Sequence, residues 1–233
     1  VLTFEEITRL VRIFSSLGTR KIRLTGGEPF MRRDLETLVT MIAELPGIED
    51  LAMTTNGSFP VERIDSIKAA GLARMTVSLD ALDDETFMKM NDREVPAAKV
   101  LNWIDHAIQA GFTPLKINMV VKRGVNVHSI LPISRYFNRP DTILRFIEFM
   151  DVGSSNDWKM DEVVPAKEIL QIVHADMPLE AAPPNYPGEV ANRFRYKDTG
   201  NEVGVIASVT MPFCRGCTRA RLCLLYTSDA ADE

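Results

Sequence analysis

Cysteine is scarce in this chain: three among 233 residues, at positions 214, 217 and 223, with none before them. An odd, clustered set makes a poor disulfide framework and suits a reducing compartment with a metal or redox role. The protein is therefore expected to be cytoplasmic. Long hydrophobic runs are missing as well. None approaches the ~18 residues of a membrane-spanning helix, so no membrane partner is expected. Positive charge is not in excess, with 27 Lys and Arg against 32 Asp and Glu, a net charge of −5. That balance argues against a general nucleic-acid partner but leaves room for a local basic pocket. The three histidines, His106, His128 and His174, have no metal-ligand spacing. The chain carries no phosphate-binding P-loop and no dinucleotide glycine fingerprint. The stretch 1–10 is acidic and amphipathic, unlike a secretion signal.

What is present is ordinary globular material, 45% hydrophobic and 25% charged, enough for one large domain or a barrel with an appendage. Ile7, Leu10, Val11 and Phe14 recur at helical spacing before Gly18. Short apolar runs at 21–24, 50–54, 74–79, 115–121 and 142–149 read as strands. Helical patterns separate them at 35–45, 61–70, 84–90, 97–110 and 130–137, with Asp34 as the expected cap of the first. Strands this apolar suggest cover on both faces. Their alternation with helices implies an α/β fold around a parallel sheet. The fold expected is a partial (βα)6 TIM-like barrel whose first strand would precede residue 1. An open doubly wound sheet is the alternative. After Asp151 the pattern changes. Residues 153–160 and 181–188 read as loops, 165–174 as a helix and 190–213 as polar strand. The divisions are 1–151 for the barrel, 152–222 for an appendage and 223–233 for a tail.

Parallel α/β folds bind ligands at the carboxyl ends of their strands. Those ends carry Thr25-Gly26-Gly27-Glu28-Pro29, Thr54-Thr55-Asn56-Gly57, Ser78-Leu79-Asp80, Lys116 with Asn118, and Glu148 with Met150. The double glycine lets backbone approach a ligand closely, with the Glu28 carboxylate available to an ammonium group; a tight turn explains it equally. Ser78 and Asp80 are ligand contacts or a cap. Met150 is a contact or core. Arg23 and Lys116 lie inside apolar strands, which suits a cavity that binds an anion, or else outward-facing ends. Cys214 and Cys217, spaced C-x2-C, could be half a zinc site, part of an iron–sulfur site or a redox pair. Arg219 and Arg221 follow at once. They suit bidentate phosphate recognition or a solvated surface.

Together, Lys21-Ile22-Arg23-Leu24-Thr25-Gly26-Gly27-Glu28-Pro29, Arg32-Arg33-Asp34-Leu35, Thr54-Thr55-Asn56-Gly57, Leu144–Met150 and the 213–222 stretch Phe-Cys-x-x-Cys-x-Arg-x-Arg-Leu resemble the GTP 3′,8-cyclase family of molybdenum cofactor biosynthesis, among the radical S-adenosylmethionine (SAM) enzymes. The resemblance implies a lyase that cyclises GTP to a pterin precursor, using SAM and two [4Fe–4S] clusters. It implies SAM contacts at Gly27, Ser78 and Met150, and GTP contacts at Arg23, Thr54, Lys116, Arg219, Ala220 and Arg221. Cys214 and Cys217 would ligate the second cluster. GTP, an electron donor and a downstream pterin-forming enzyme would be the partners; a homodimer stays open.

Two departures from the family pattern stand out. The C-x3-C-x2-C loop of the SAM-cleaving cluster would lie before residue 1, together with the first strand. The third cysteine of the second cluster is expected 14 residues after Cys217, where Ala231 stands. Cys223 does not match that spacing, and the tail after it leaves the pattern. The expectation is a truncated or chimeric reading frame that is inactive as it stands. A different radical-SAM enzyme of the peptide-modifying type, or a non-catalytic nucleotide-binding remnant, are the alternatives.

Overall fold

The structure, a computed structural model, describes residues 1–91, 94–152, 158–186, 188–212 and 218–222. All three cysteines lie outside these residues. Helix α1 spans Phe4–Ser16 and opens on a reciprocal cap: Thr3 Oγ1 accepts from Glu6 N, and Glu6 Oε2 accepts from Thr3 N. There follow β1 (Lys21–Leu24), α2 (Leu35–Ala43), β2 (Asp50–Thr55), α3 (Glu62–Ala69), β3 (Arg74–Ser78), α4 (Asp84–Asn91), α5 (Ala97–Gln109), β4 (Leu115–Val121), α6 (Ile130–Tyr136) and β5 (Thr142–Glu148). The second part adds α7 (Ala166–Asp176), β6 (Leu179–Ala182), β7 (Asn192–Tyr196) and β8 (Glu202–Ile206).

One sheet contains all eight strands in the order β1-β2-β3-β4-β5-β8-β7-β6. β1 to β5 are parallel and sequential. A doubly wound sheet reverses its strand order at a switch point, and these five do not, so the fold is a partial TIM-like barrel. β8 pairs parallel to β5, while β7 and β6 complete the sheet in antiparallel fashion. β6 begins inside a stretch whose Pro-rich continuation reads as loop. Its neighbour β7 supplies the ladder that local composition does not announce.

Strand alternation divides the sheet into two faces. Leu51, Met53, Met75, Val77, Leu115, Ile117, Met119, Val121, Leu144 and Phe146 point one way and are fully covered. They pack in one cluster with helix residues such as Val39, Ile42, Ile67, Trp103, Ile104 and Ile133. Their partners along the same strands, including Arg23, Thr54, Arg74, Lys116, Asn118 and Arg145, point into the lumen. The strands are thus not apolar on both faces, because one face lines a polar cavity.

Asp34 does not cap α2 with its side chain. It takes a left-handed backbone, φ 54°, and its carboxylate receives no hydrogen bond from the helix; the backbone carbonyl of Asp34 accepts from Thr37 N instead.

Candidate functional site

Register places the lumen side chains in layers. Arg23 lies level with Ala52, and Ala52 with Arg74. Thr54 is level with Thr76, which is level with Lys116. Ser78 aligns with Asn118, Asn118 with Arg145, and Arg145 with Gly204. Four neighbouring parallel strands, β1 to β4, therefore bring Arg23, Thr54, Ser78 and Lys116 to one surface. Arg23 donates to Thr54 Oγ1 at 3.0 Å and Thr76 Oγ1 at 3.3 Å, which holds its guanidinium across three strands.

The sequence reading left out two further cations, Arg74 and Arg145. Arg74 pairs with the Asp50 carboxylate. Arg145 sits between Asn118 and Gly204, and its Nε is buried without a hydrogen-bond partner. Asn118 Oδ1 is buried and unpartnered too. Lys116 makes no hydrogen bond or ion pair among the described residues. Burial pushes its ammonium down to about 7, assisted by the charges of Arg145, Arg74 and Arg23. Toward the amino ends of β3 and β4 the cationic surface opens into a cavity of about 310 Å³, lined by Arg74, Lys116, Arg193, Glu202 and Asn185 with Phe112 and Ile143. The signal for the added arginines was the period-two alternation: Arg74 and Arg145 each fall on the face opposite the core residues Met75 and Val77, or Leu144 and Phe146, of the same strand.

At the carboxyl ends the strand loops form a second group. Gly26 has a φ of 128°, which the turn requires of a glycine. Gly27 needs no such conformation, and a Cβ placed there would meet nothing within 4 Å. Its bare backbone faces open space, as a ligand approach requires. Ser78 is half-buried at the end of β3, and its hydroxyl makes no hydrogen bond among the described residues. Met150 is 39% exposed just past β5, so it is not core.

Three carboxylates expected at this end turn inward. Glu28 is buried and accepts from Phe30 N, Thr55 Oγ1 and Asn56 N at 3.1, 2.9 and 2.7 Å. It ties the loop after β1 to the loop after β2, because those orphan donors at the loop starts need an acceptor. That second loop turns tightly at Gly57, where φ is 66° and a Cβ would crowd Val100 and Val77 at 3.0 and 3.2 Å. Asp80 bridges β3 to β4 and its following loop. Its carboxylate accepts from Val120 N at 2.8 Å, and its carbonyl accepts from the buried Asn126 Nδ2 at 3.0 Å. Burial pushes the Asp80 carboxyl up to about 6 against that one backbone donor. Glu148 is fully buried and accepts from Ala166 N, Val209 N, Thr210 N and Thr210 Oγ1 at 2.5–2.8 Å. Burial favours its protonation, but the four hydrogen bonds outweigh that and hold the carboxyl below its ordinary value.

Arg219, Ala220 and Arg221 lie exposed in the segment 218–222. Cys214 and Cys217 fall outside the described residues. Among the described residues no group of three or more His, Cys, Asp or Glu could hold a metal ion. No helix among them is long and apolar enough to cross a membrane.

The comparisons with known proteins agree along the whole chain. The model of the radical SAM superfamily matches residues 1–137, and that of Molybdenum Cofactor Synthesis C matches 142–225. A GTP 3′,8-cyclase of Acidothermus cellulolyticus is 52% identical over 222 residues, covering 95% of this chain and 61% of the relative. One of Staphylococcus carnosus is 44% identical over 237 residues, covering 98% and 69%. The chain thus spans about three fifths to two thirds of the length of such relatives. Among solved structures, Streptococcus suis SuiB aligns with a TM-score of 0.61 at 16% identity, over 74% of this chain and 40% of its own. Methylornithine synthase aligns at 0.57 and 18%, over 74% and 52%. These structures share the fold.

Proposed function

The chain belongs to the radical SAM superfamily and, within it, to the GTP 3′,8-cyclase family, and on that premise we propose that it serves the cyclisation of GTP to the pterin precursor, 3′,8-cyclo-7,8-dihydro-GTP, of molybdenum cofactor biosynthesis. The observation that carries the reading is the cationic lumen, in which Arg145 Nε and Asn118 Oδ1 are buried without partners. A buried polar atom left unpaired costs about 1–3 kcal/mol, and a polyphosphate with its ribose would satisfy both a donor and an acceptor. Arg23, Lys116 and Arg145 would take the phosphates, with Thr54 beside them. Arg219, Ala220 and Arg221 would reach GTP from the arm that carries Cys214 and Cys217.

SAM fits the carboxyl ends. Gly27 offers backbone with open space above it, Ser78 a hydroxyl and Met150 an accessible thioether. When bound, SAM with its cluster supplies the hydrogen-abstracting radical of this superfamily; the residues here bind, orient and keep water from the ligands. The barrel division, 1–151, contains no cysteine. Its residues therefore do not fit the SAM-cleaving [4Fe–4S] cluster, and no step is derived through it. Cys214 and Cys217 offer two thiolates to a second cluster on the 152–222 appendage. An electron donor and a pterin-forming enzyme in the cytoplasm are the partners this reading requires.

The test is GTP binding to this chain by calorimetry. Arg145→Ala should weaken GTP at least about tenfold, the worth of one charge-assisted hydrogen bond. Equal affinity in the variant would reject the lumen as the phosphate site.

A further inference from the structure

The connection from β6 to β7 brings a carboxylate to the cationic lumen. Glu189 has a side chain only 3% exposed, with Oε1 3.8 Å from the Arg145 guanidinium. Asn185, on the same connection, donates to it from its backbone N at 2.7 Å and from Nδ2 at 3.4 Å. The ring of Tyr186 lies under Lys21 Nζ, 4.2 Å away, at the neighbouring edge. The other carboxylates at this surface are already matched. Asp50 pairs with Arg74, and Glu202 with Arg193 at 2.5 Å. Among the described residues that leaves Glu189 as the carboxylate facing Arg145 and Lys116.

Its geometry is that of a placeholder. An arginine and a carboxylate built for each other meet in a two-pronged contact at about 2.7–2.9 Å, as Arg193 and Glu202 nearly do. At 3.8 Å Glu189 supplies charge without a hydrogen bond, and Arg145 Nε stays unpaired beside it. The carboxylate is carried by a connection and not by a strand, so its removal costs no ladder hydrogen bond.

We propose that Glu189 is the resident counter-ion of the lumen: it stands where a phosphate of the nucleotide will sit, and it must be displaced for a triphosphate to seat on Arg145 and Lys116. Glu189 then sets how strongly the site holds a polyphosphate and keeps the empty lumen from being a bare cluster of cations. The proposal rests on the reading of the lumen as the GTP phosphate site.

Inorganic triphosphate and GTP, titrated separately into the full chain and its Glu189→Gln variant, test it. Glu189→Gln should bind both about tenfold more tightly, and should melt at a lower temperature when empty but gain more from ligand. Glu189→Asp, one methylene shorter, draws the charge back from Arg145 and should move affinity the same way by a smaller factor. It provides a second reading should the glutamine variant fail to fold. Unchanged or weaker binding in whichever variant folds overturns the proposal. If the wild-type chain binds neither probe, or Arg145→Ala binds them equally well, the phosphate-site reading itself has failed. If Arg145→Ala weakens binding while neither Glu189 variant strengthens it, the counter-ion alone has failed.

Discussion

The two faces of the parallel sheet are made by the same strands, yet they obey opposite rules. On the outer face Met53, Val77, Ile117, Met119 and Phe146 are wholly buried against helices, and each contributes through contact and exclusion of water. On the lumen face Thr54, Thr76, Lys116, Asn118 and Arg145 are largely withdrawn from bulk water, with Asn118 Oδ1 and Arg145 Nε unpaired, while Arg23 reaches across from the exposed edge strand. The outer face stabilises the fold. The lumen face draws on that stability to keep like charges close, the usual relation between a scaffold and the site it carries.

The sharpest way to break the contrast is to move a charge across the sheet. Met119→Lys puts an unpaired ammonium on the outer face and should cost at least about 3 kcal/mol, read as a fall in the urea midpoint. If it costs no more than an exposed substitution, the outer face is not the dry layer described. Lys116→Met makes the opposite exchange in the lumen. The Lys116 ammonium is pushed from 10.5 to about 7, so between those values the unfolded chain binds a proton that the folded chain has released. Wild-type stability should therefore rise with pH from about 7 upward. Lys116→Met should remove that rise, and parallel urea midpoints at pH 7 and 9 in both proteins would contradict it. The smallest effect belongs to Asp80. Its carboxyl is pushed from 3.8 to about 6, so the folded chain retains a proton the unfolded chain has lost. That contribution is complete below pH 4 and fades as pH rises through 6. Asp80→Asn keeps an acceptor for Val120 N and should flatten this part of the stability profile, measured by thermal melting between pH 4 and 7.

Sequence pattern located the strands well because each is a short apolar run between helical periods. β1 and β4 occupy 21–24 and 115–121 in both the reading and the structure. That Arg23, Thr54, Ser78 and Lys116 share one surface follows from their parity along the strands, which a reading of the strand ends alone does not use. The pattern did not foresee the partners of the acids. Glu28, Asp80 and Glu148 sit at strand ends, where a ligand contact is expected, but each is claimed by backbone donors 18 to 62 residues away. Which way such a carboxylate turns depends on orphan N–H groups delivered by other elements, and local pattern does not contain them. Arg145 was visible inside Leu144–Met150, but its role required knowing that the facing cavity had no anion of its own strand to pair with it. Glu189 lay in a polar stretch whose position over the lumen follows from the β6–β7 pairing, a long-range fact.

The placing of β8 bears on how the protein is made. β5 presents its free edge to a strand synthesised after α7, β6 and β7, and β8 alone among the later strands joins it directly. A nascent chain emerging from the ribosome at about 5–20 residues per second thus carries the β5 edge unpaired for several seconds, with Arg145 on a wall that is not yet complete. An open strand edge is a template for pairing with other chains. Translation that pauses before Ile206 should leave ribosome-bound intermediates prone to association, and synthesis that runs past it closes the edge.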